Sequence, residues 1–308
     1  MTTALLTHAD CDGHVNPPGA PEQVARLHCI LKALEGLDLV RSDAPMGTAE
    51  HAKLVHDAAY VDGIPGRIPT SGTMWLDPDT YVSATSLDAI YRAVGGAVKA
   101  VDMVLGGEVE NAFVATRPPG HHAEQATPMG FCIFGNVAIA AKHALENHGL
   151  DRVAVLDFDV HHGNGTQALL QDDPRAFFVS SHQSPLWPGT GMAHETGAHG
   201  TIMNLPLDPG SGRDAMKRAW DTAFEAVRAH QPDMILVSAG FDAHSADPLA
   251  NLRWSTQDFA DLTRDICALA DELCRGRLVS VLEGGYDLDA LAESAHAHVS
   301  ELMKAAPR

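Results

Sequence analysis

Short apolar runs alternate with amphipathic segments along most of the chain. The runs rich in β-branched and aliphatic residues predict strands at 111–117, 152–159, 176–182, 201–207, 233–240 and 277–285. The segments between and around them predict helices at 84–105, 136–147, 213–229, 256–274 and 287–303. Near-continuous apolar strands that alternate with helices are typical of a mostly parallel sheet covered by helices on both faces. The alternation therefore predicts an α/β fold of the doubly wound kind.

Nothing in the sequence marks a boundary between domains. The 308 residues contain no internal repeat, low-complexity tract or linker-like stretch. A chain of this length can form one large α/β domain or two smaller ones. Because no linker is visible, we expect a single domain over residues 1–308.

The charge balance limits the partners that the chain can bind. A formal net charge of −19 argues against nucleic-acid binding, which requires a basic surface. This charge would attract cationic substrates such as basic protein tails or polyamines, and it would equally serve solubility. No apolar run is long enough to span a bilayer, and the start lacks a signal-peptide pattern. Five cysteines without a CxxC pair fit a reducing compartment, so we expect a cytoplasmic protein without membrane contact.

Unusual polar residues follow the predicted strands. In open parallel sheets, ligands bind outside the carboxyl ends of the strands. The segments at those ends read RPPGHH (117–122), DFDVHHGNG (157–165), SSHQSPLWPGTG (180–191), SAGFDAH (238–244) and LEGGY (282–286). Because these segments fall at one edge of the sheet, the sequence predicts a single site there.

Two aspartates and a histidine alternate after the strand at 152–159. Residues two apart in an extended segment point to the same side, so Asp157, Asp159 and His161 can converge. Carboxylate oxygen and imidazole nitrogen are normal zinc ligands, and a catalytic zinc keeps one position open. Asp242, after a neighbouring strand, is the candidate for an additional ligand. The alternative is that these residues form turns or cap helices.

The histidine pair and the tyrosine suggest proton transfer and oxyanion stabilisation. His121 and His122 can act as ligands or as a base with an electrostatic partner, and Asp157 or Asn164 can orient them. The hydroxyl of Tyr286 can stabilise a developing oxyanion. The alternatives are a surface histidine pair and a buried tyrosine at the start of a helix.

In this order, RPPGHH, GFCIFGN, DFDVHHGNGTQ, PGTG, SAGFDAHSADPL and LEGGY resemble the motifs of the histone deacetylase family. The sequence is most similar to class II-like and bacterial members of this family, which belongs to the arginase–deacetylase superfamily. The resemblance runs from PEQVAR (21–26) to about residue 290. It implies the arginase–deacetylase fold and a zinc-dependent deacetylase, a hydrolase that removes an acetyl or other acyl group from an N-acylated amine of the acetyl-lysine type.

The resemblance also implies two cation sites. One zinc ion per chain would be held by Asp159, His161 and Asp242. A structural potassium ion would contact backbone oxygens near Asp157 and the hydroxyl group of Ser180.

The same resemblance implies the catalytic roles. His122 would act as general base and acid, oriented by Asn164, where class I relatives have an aspartate and class II-like members commonly have asparagine. His121, paired with Asp157, would give electrostatic support. Tyr286 would polarise the amide, and its presence favours a competent enzyme.

Four residues would form the substrate tunnel by resemblance. Phe131 and Trp187 would be its aromatic walls, and Gly130 would lie beside them. Leu249 stands where polyamine-selective class II members have a glutamate, which argues against that polyamine mechanism. Arg26 matches an internal arginine near the route of acetate release.

Other functions are compatible with the sequence. The substrate can instead be an acetylpolyamine or another small N-acyl amine, and a homo-oligomer is left open. A binuclear manganese ureohydrolase would need another ligand aspartate after Asp242, where the chain has Ala243 and His244. A module that only binds an acyl ligand would not need Tyr286 and the histidine pair.

Overall fold

A computed structural model describes residues 2–304. Its strands are β1 (Thr3–Thr7), β2 (Val40–Asp43), β3 (Thr73–Trp75), β4 (Tyr81–Ser83), β5 (Asn111–Val114), β6 (Val153–Asp157), β7 (Ala176–Gln183), β8 (Ile202–Leu207), β9 (Met234–Ala239) and β10 (Leu278–Leu282). Its α-helices are α1 (Val24–Ala33), α2 (Ala49–Ala52), α3 (Ala58–Gly63), α4 (Ser86–Leu105), α5 (Asn136–Glu146), α6 (Asn164–Leu170), α7 (Arg213–His230), α8 (Thr256–Cys274) and α9 (Leu288–Lys304). None of the helices in this part of the chain is both long and apolar enough to cross a membrane.

Buried apolar strands build the central sheet. Eight strands pair in the order β2-β1-β5-β10-β9-β6-β7-β8, and every neighbouring pair is parallel. All residues of β5, β6, β7, β9 and β10 are buried. Strands buried on both faces form in parallel sheets that helices cover on each side. Outside this sheet, β3 and β4 form a small antiparallel hairpin.

Two hydrophobic cores lie on opposite faces of the sheet. Successive side chains of a strand point to opposite faces of the sheet and so pack into different cores. Leu156 and Ile235 belong to one core, and Val155 and Leu236 belong to the other. The first core is completed by α1, α7, α8 and α9, and the second by α4 and α5. The structure is therefore a single domain with a mostly parallel sheet between helical layers, and the predicted fold class is confirmed.

The predicted elements are present, but some strand ends were wrong. The strand predicted at 111–117 ends at Val114, and the chain then leads into the turn at Pro118 and Pro119, which have no N–H group to continue a strand. The strand predicted at 277–285 ends at Leu282 because the chain turns at Gly284 and Gly285, where Gly285 has a φ of +118°. The structure also contains elements that were not predicted, namely β1 to β4, α1 to α3 and α6.

Candidate active site

Four adjacent strands bring the polar segments together. The order β5-β10-β9-β6 places the ends of these strands side by side at one edge of the sheet. The loop after β5 carries the histidine pair, and the loops after β6 and β9 carry the predicted metal ligands. Tyr286 follows β10. The topology therefore brings residues that are up to 165 positions apart in sequence, from His121 to Tyr286, into one site.

The three predicted zinc ligands form one buried cluster. The candidate ligand atoms of Asp159, His161 and Asp242 all lie within 4.8 Å of one another. The Nδ1 atom of His161 lies 3.1 Å from Asp159 Oδ1 and 3.1 Å from Asp242 Oδ2. Backbone N–H groups also hold the carboxylates, because Gly284 donates to Asp159 Oδ2 at 2.8 Å and Val160 donates to Asp242 Oδ1 at 2.8 Å. Two carboxylates and one imidazole are a suitable donor set for zinc.

The charges of this cluster favour a cation. Burial and the carboxylate of Asp159 together raise the pKa of Asp242 to about 7, although His161 acts in the opposite direction. Burial alone would lower the pKa of His161, but its hydrogen bonds to Asp159 and Asp242 outweigh burial and raise it to about 10. Buried carboxylates are costly unless a positive charge compensates them. The two carboxylates therefore favour a positive charge at His161, and a cation bound by the three side chains would take the place of that proton.

Two glycines leave room for the carboxylates. A Cβ atom at Gly284 would lie 2.2 Å from Asp242 Oδ2 and 2.5 Å from Asp159 Oδ2. A Cβ atom at Gly240 would lie 2.0 Å from Asp159 Oδ2. Both glycines were visible in the SAGFD and LEGGY segments, but the sequence analysis did not assign them to the metal cluster.

The two histidines of the RPPGHH segment have different partners. The Nδ1 atom of His121 lies 3.0 Å from Asp157 Oδ2, and the Nδ1 atom of His122 lies 2.8 Å from Asn164 Oδ1. Burial opposes a charge on His121, but Asp159 and Asp157 outweigh it and raise its pKa to about 10. Burial lowers the pKa of His122 well below the usual value, and the positive charge of His121 adds to this. One imidazole is thus held protonated while its neighbour is held neutral.

Asp157 lies beside the predicted potassium ligand. Strand register pairs Asp157 with Ser180 on β7, and both residues are fully buried. Burial raises the pKa of Asp157 to about 6, while His121 acts in the opposite direction. The Ser180 hydroxyl lies 3.0 Å from His182 Nδ1.

A cavity of about 200 Å³ opens beside the candidate ligands Asp159, His161 and Asp242. It is lined by Asp79, His122, Gly130, Phe131, His161, Leu186, Trp187, Leu249 and Tyr286. The four predicted tunnel residues are therefore all at its wall. Two of the lining residues were not predicted from the sequence. Leu186 precedes Trp187 in a segment already noted, whereas Asp79 belongs to the β3–β4 hairpin, for which no motif was recognised.

The β3–β4 hairpin supports one wall of this cavity. Asp79 Oδ1 accepts a hydrogen bond from the Gly130 amide at 2.9 Å, and Thr80 Oγ1 accepts one from the Phe131 amide at 3.1 Å. Gly130 has a φ of +56°, and a Cβ atom there would lie 2.4 Å from His122 Cδ2 and 2.6 Å from the Trp187 ring. The Trp187 ring itself stands edge-on to His122, with centroids 4.7 Å apart. Glycine is thus needed at position 130 for both conformation and space.

Arg26 holds the turn that presents Tyr286. Its guanidinium group donates to the carbonyl oxygens of Gly285 at 2.6 Å and Glu283 at 2.5 Å. The same group lies 4.9 Å from the centre of the Tyr286 ring. The Tyr286 amide donates to Asp247 Oδ2 at 2.7 Å. Burial raises the pKa of the Tyr286 phenol well above its usual value, so this hydroxyl keeps its proton and can donate it in a hydrogen bond.

Glu283 is another residue of this site that was not predicted from the sequence. Its Oε2 atom accepts hydrogen bonds from the Gly120 amide at 2.7 Å and the His121 amide at 3.1 Å. Burial raises its pKa to about 7, while the charge of His121 acts against this. The residue therefore ties the LEGGY turn to the histidine loop. Its position in the LEGGY segment was visible, but its partners were not.

Fold and site together define an α/β protein of the deacetylase and amidohydrolase class. The family model described as "Histone deacetylase domain" matches residues 20–302, and the chain belongs to the histone deacetylase family. "Histone deacetylase 14, chloroplastic" of Arabidopsis thaliana is 42% identical over 310 residues, which cover 92% of this chain and 72% of that protein. "Histone deacetylase-like amidohydrolase" of Pseudomonas aeruginosa is 38% identical over 287 residues, with 89% and 75% covered. The solved HDA15 HD domain superimposes with a TM-score of 0.93 at 30% identity, covering 99% of this chain and 89% of that one.

Proposed function

We propose that this chain is a zinc-dependent deacetylase that hydrolyses the amide bond of an acetyl-lysine-type substrate. The observation that carries the proposal is that one cavity is bordered by a residue of the metal-competent cluster, by a histidine held by an amide oxygen and by a tyrosine. These are His161, His122 and Tyr286. A Lewis acid, a base and an oxyanion donor at one cavity are the groups that amide hydrolysis requires.

Asp159, His161 and Asp242 would hold the zinc ion. When bound, zinc polarises an amide carbonyl and lowers the pKa of a water molecule. The buried carboxylates and the 4.8 Å spread of the donor atoms support this assignment. The hydroxyl of Ser180 and the backbone oxygens around Asp157 would hold potassium, which would compensate charge behind the histidine pair.

His122 would act as the general base and then as the general acid. Its Nδ1 atom is engaged by Asn164, so its Nε2 atom is available to take a proton from the attacking water. The protonated imidazole then returns this proton to the departing amine nitrogen, and acetate and a free amine result. His121 stays protonated opposite Asp157 and would stabilise negative charge in the site throughout.

Tyr286 would stabilise the oxyanion. Its hydroxyl keeps its proton because burial raises its pKa, and it would donate a hydrogen bond to the carbonyl oxygen as negative charge develops. Arg26 fixes the turn before it and so holds the phenol ring in place. Loss of such a donor typically costs about 10²–10³ in kcat.

The cavity walls favour an aliphatic amine arm. Phe131, Leu186, Trp187 and Leu249 provide apolar surface around the approach to His122 and Tyr286. A lysyl side chain has four methylene groups that would fill such a passage, leaving the peptide at the surface. Asp79 lies at the same cavity, where its carboxylate can accept hydrogen bonds from a substrate.

The test is an activity panel on the purified protein. The rate of hydrolysis is compared for acetyl-lysine peptides, acetylpolyamines and small N-acetyl amines. Lysine peptides with longer acyl groups and guanidino compounds are tested in the same way. We expect the acetyl-lysine peptides to be turned over best and to be inhibited by a hydroxamate and by metal chelation. A preference for acetylpolyamines would contradict acetyl-lysine as the substrate. Hydrolysis of a guanidino compound would contradict the proposed amide hydrolysis.

Two variants separate catalysis from binding. Tyr286→Phe should lower kcat by about 10²–10³ with little change in KM. Tyr91→Phe, a half-buried tyrosine outside the cavity, is the matched control and should keep full activity. If Tyr286→Phe turned over substrate as fast as the unmodified chain, the mechanism would be wrong. Binding without turnover in the unmodified chain would instead indicate a module that only holds an acyl ligand.

The compartment is a separate part of the proposal. The cysteine pattern favours a reducing compartment such as the cytoplasm, while two plant relatives are named chloroplastic. Fractionation of source cells with an antibody to the chain tests this, and recovery in an organelle or membrane fraction would contradict a cytoplasmic location.

A further inference from the structure

A second group of metal-competent side chains lies between helices α4 and α5. Asp102 belongs to α4, His143 belongs to α5, and His148 follows the end of α5. The Oδ1 atom of Asp102 lies 2.7 Å from His143 Nε2 and 2.8 Å from His148 Nε2. The three candidate ligand atoms all lie within 4.8 Å of one another. None of these residues lines the cavity of the candidate active site.

Local packing holds the two imidazoles toward the same point. His143 is only 6% exposed, and its ring stands nearly perpendicular to that of His148, with centroids 5.2 Å apart. Its Nδ1 atom is buried and has no hydrogen-bond partner among residues 2–304. The ring is therefore fixed by packing and by Nε2 alone, with Nε2 directed at the shared carboxylate oxygen.

A third imidazole stands next to the group. The rings of His51 and His143 meet edge to face with centroids 5.9 Å apart. The Nδ1 atom of His51 accepts a hydrogen bond from the Thr48 amide at the start of α2, so this atom is already engaged. His51 is also not among the residues whose ligand atoms lie within 4.8 Å of one another, so we do not count it among the ligands.

We propose that Asp102, His143 and His148 form a second metal site that takes a divalent transition metal such as zinc. Two imidazole nitrogens and one carboxylate oxygen suit zinc and its neighbours, whereas calcium and magnesium prefer oxygen alone. The Asp102 and His148 side chains are 40% and 30% exposed, so water can reach the metal and complete its coordination. The site is thus accessible from solvent while His143 anchors it to the protein.

The position of this site gives it a structural role. A bound ion would join α4 to the end of α5 and to the segment that follows α5. The other end of α5 begins at Asn136, whose side chain donates to the Pro118 carbonyl in the loop that carries the catalytic histidines. His143 lies about 10 Å along the helix axis from Asn136. The ion would therefore stabilise the helical layer that supports this loop, without taking part in the reaction.

The test counts metal ions on the folded protein. Chelator-stripped protein is dialysed against Co²⁺ or Zn²⁺ alone, and bound metal is measured by mass spectrometry, with the visible spectrum of Co²⁺ as a second readout. The unmodified chain should bind two ions, and Asp242→Asn should leave the ion at Asp102. His148→Ala should lower the affinity for the second metal ion by more than about tenfold and change the Co²⁺ spectrum.

The controls make the result decisive. His148 is exposed, so its replacement should leave the fold intact, and His199→Ala removes another exposed histidine that has no place in the group. Zinc should raise the Tm of the Asp242→Asn protein, and His148→Ala should abolish that rise while His199→Ala does not. Saturation of the unmodified chain at one ion, or equal binding by His148→Ala, would overturn the second site and leave the proposed deacetylase activity untouched.

Discussion

The Nδ1 atom of His122 lies 2.8 Å from the Oδ1 atom of Asn164. An amide oxygen accepts a hydrogen bond but carries no charge. The neighbouring His121 instead faces the carboxylate of Asp157 at 3.0 Å. This difference agrees with the opposite pKa directions of the two histidines, since that of His121 is raised and that of His122 is lowered by burial and by its positive neighbour.

The first prediction changes this partner to a carboxylate. In Asn164→Asp, a negative charge beside His122 should raise the pKa of His122 by about one unit or more. His122 must be neutral to accept a proton, so a higher pKa moves the acid limb of the kcat/KM profile to higher pH. The profile is measured over pH 5 to 9 on an acetyl-lysine peptide.

A charge control belongs to this experiment. Asn147→Asp places the same new charge at an exposed residue at the end of α5, and its profile should match that of the unmodified chain. An acid limb that does not move in Asn164→Asp would show that His122 is not the base seen in the profile.

The second prediction concerns the space at Gly130. Gly130→Ala would place a Cβ atom 2.4 Å from His122 Cδ2, so the His122 ring or the Trp187 ring must move. We expect kcat/KM to fall by about 10²-fold, because a displacement near 1 Å can cost that much.

Gly210→Ala separates this clash from backbone strain. Gly210 also has a positive φ, +86°, but a Cβ atom there would have nothing within 4 Å. In urea unfolding, Gly210→Ala should lose about 1 kcal/mol through backbone strain alone, Gly130→Ala should lose more because the clash adds to this strain, and only Gly130→Ala should lose activity. Equal activity in the two variants would contradict a steric role for Gly130.

Much of the site follows from short-range rules. The alternation of Asp157, Asp159 and His161 predicts convergence because the segment after a strand is extended. The parallel sheet then predicts that Asp242 joins them from a neighbouring strand. These inferences rest on one periodicity and one topology rule, and both are encoded locally in the sequence.

The residues that were missed depend on tertiary packing. Asp79 reaches the cavity from a hairpin that pairs outside the main sheet, and its hydrogen bond to Gly130 joins positions 51 apart. Asp102, His143 and His148 converge only because α4 packs on α5. Neither arrangement has a fixed spacing in the sequence, so a motif search has no pattern to find.

The third prediction concerns substrate choice at Leu249. Leu249 lines the cavity, and Leu249→Glu would add a carboxylate beside Asp79 and the tunnel walls. A cationic acetylpolyamine should gain from this charge, because attraction is strong where water is partly excluded. We expect the ratio of kcat/KM for acetylpolyamine over acetyl-lysine peptide to rise by about tenfold, which corresponds to roughly 1.4 kcal/mol.

Leu249→Gln distinguishes charge from shape. Glutamine has nearly the same size as glutamate but is neutral. The ratio of kcat/KM for acetylpolyamine over acetyl-lysine peptide should therefore stay near that of the unmodified chain in Leu249→Gln. The gain in Leu249→Glu should also shrink as salt is raised. If the glutamine variant changed the ratio as much as the glutamate variant, charge at this position would not select the substrate.

The last prediction concerns a buried histidine far from the cavity. His298 is fully buried, with Nδ1 2.7 Å from Thr263 Oγ1 and Nε2 2.8 Å from Ser280 Oγ. The Thr263 hydroxyl donates to the Phe259 carbonyl at 2.7 Å, so it accepts from His298 Nδ1. Burial lowers the pKa of His298 to about 3 from an ordinary value of 6.5, because a charge there would lose its water.

Between pH 6.5 and pH 3 the unfolded chain binds a proton at this position and the folded chain does not. The contribution of His298 to the free energy of unfolding is therefore fully present above pH 6.5. Below that pH it falls by roughly 1.4 kcal/mol per pH unit. His298→Gln removes this titration but also costs packing and hydrogen bonds at neutral pH. In urea unfolding, the variant should be less stable at pH 7, and its deficit should shrink by about 2 kcal/mol at pH 5. A deficit that stays constant between the two pH values would mean that His298 titrates normally in the folded protein.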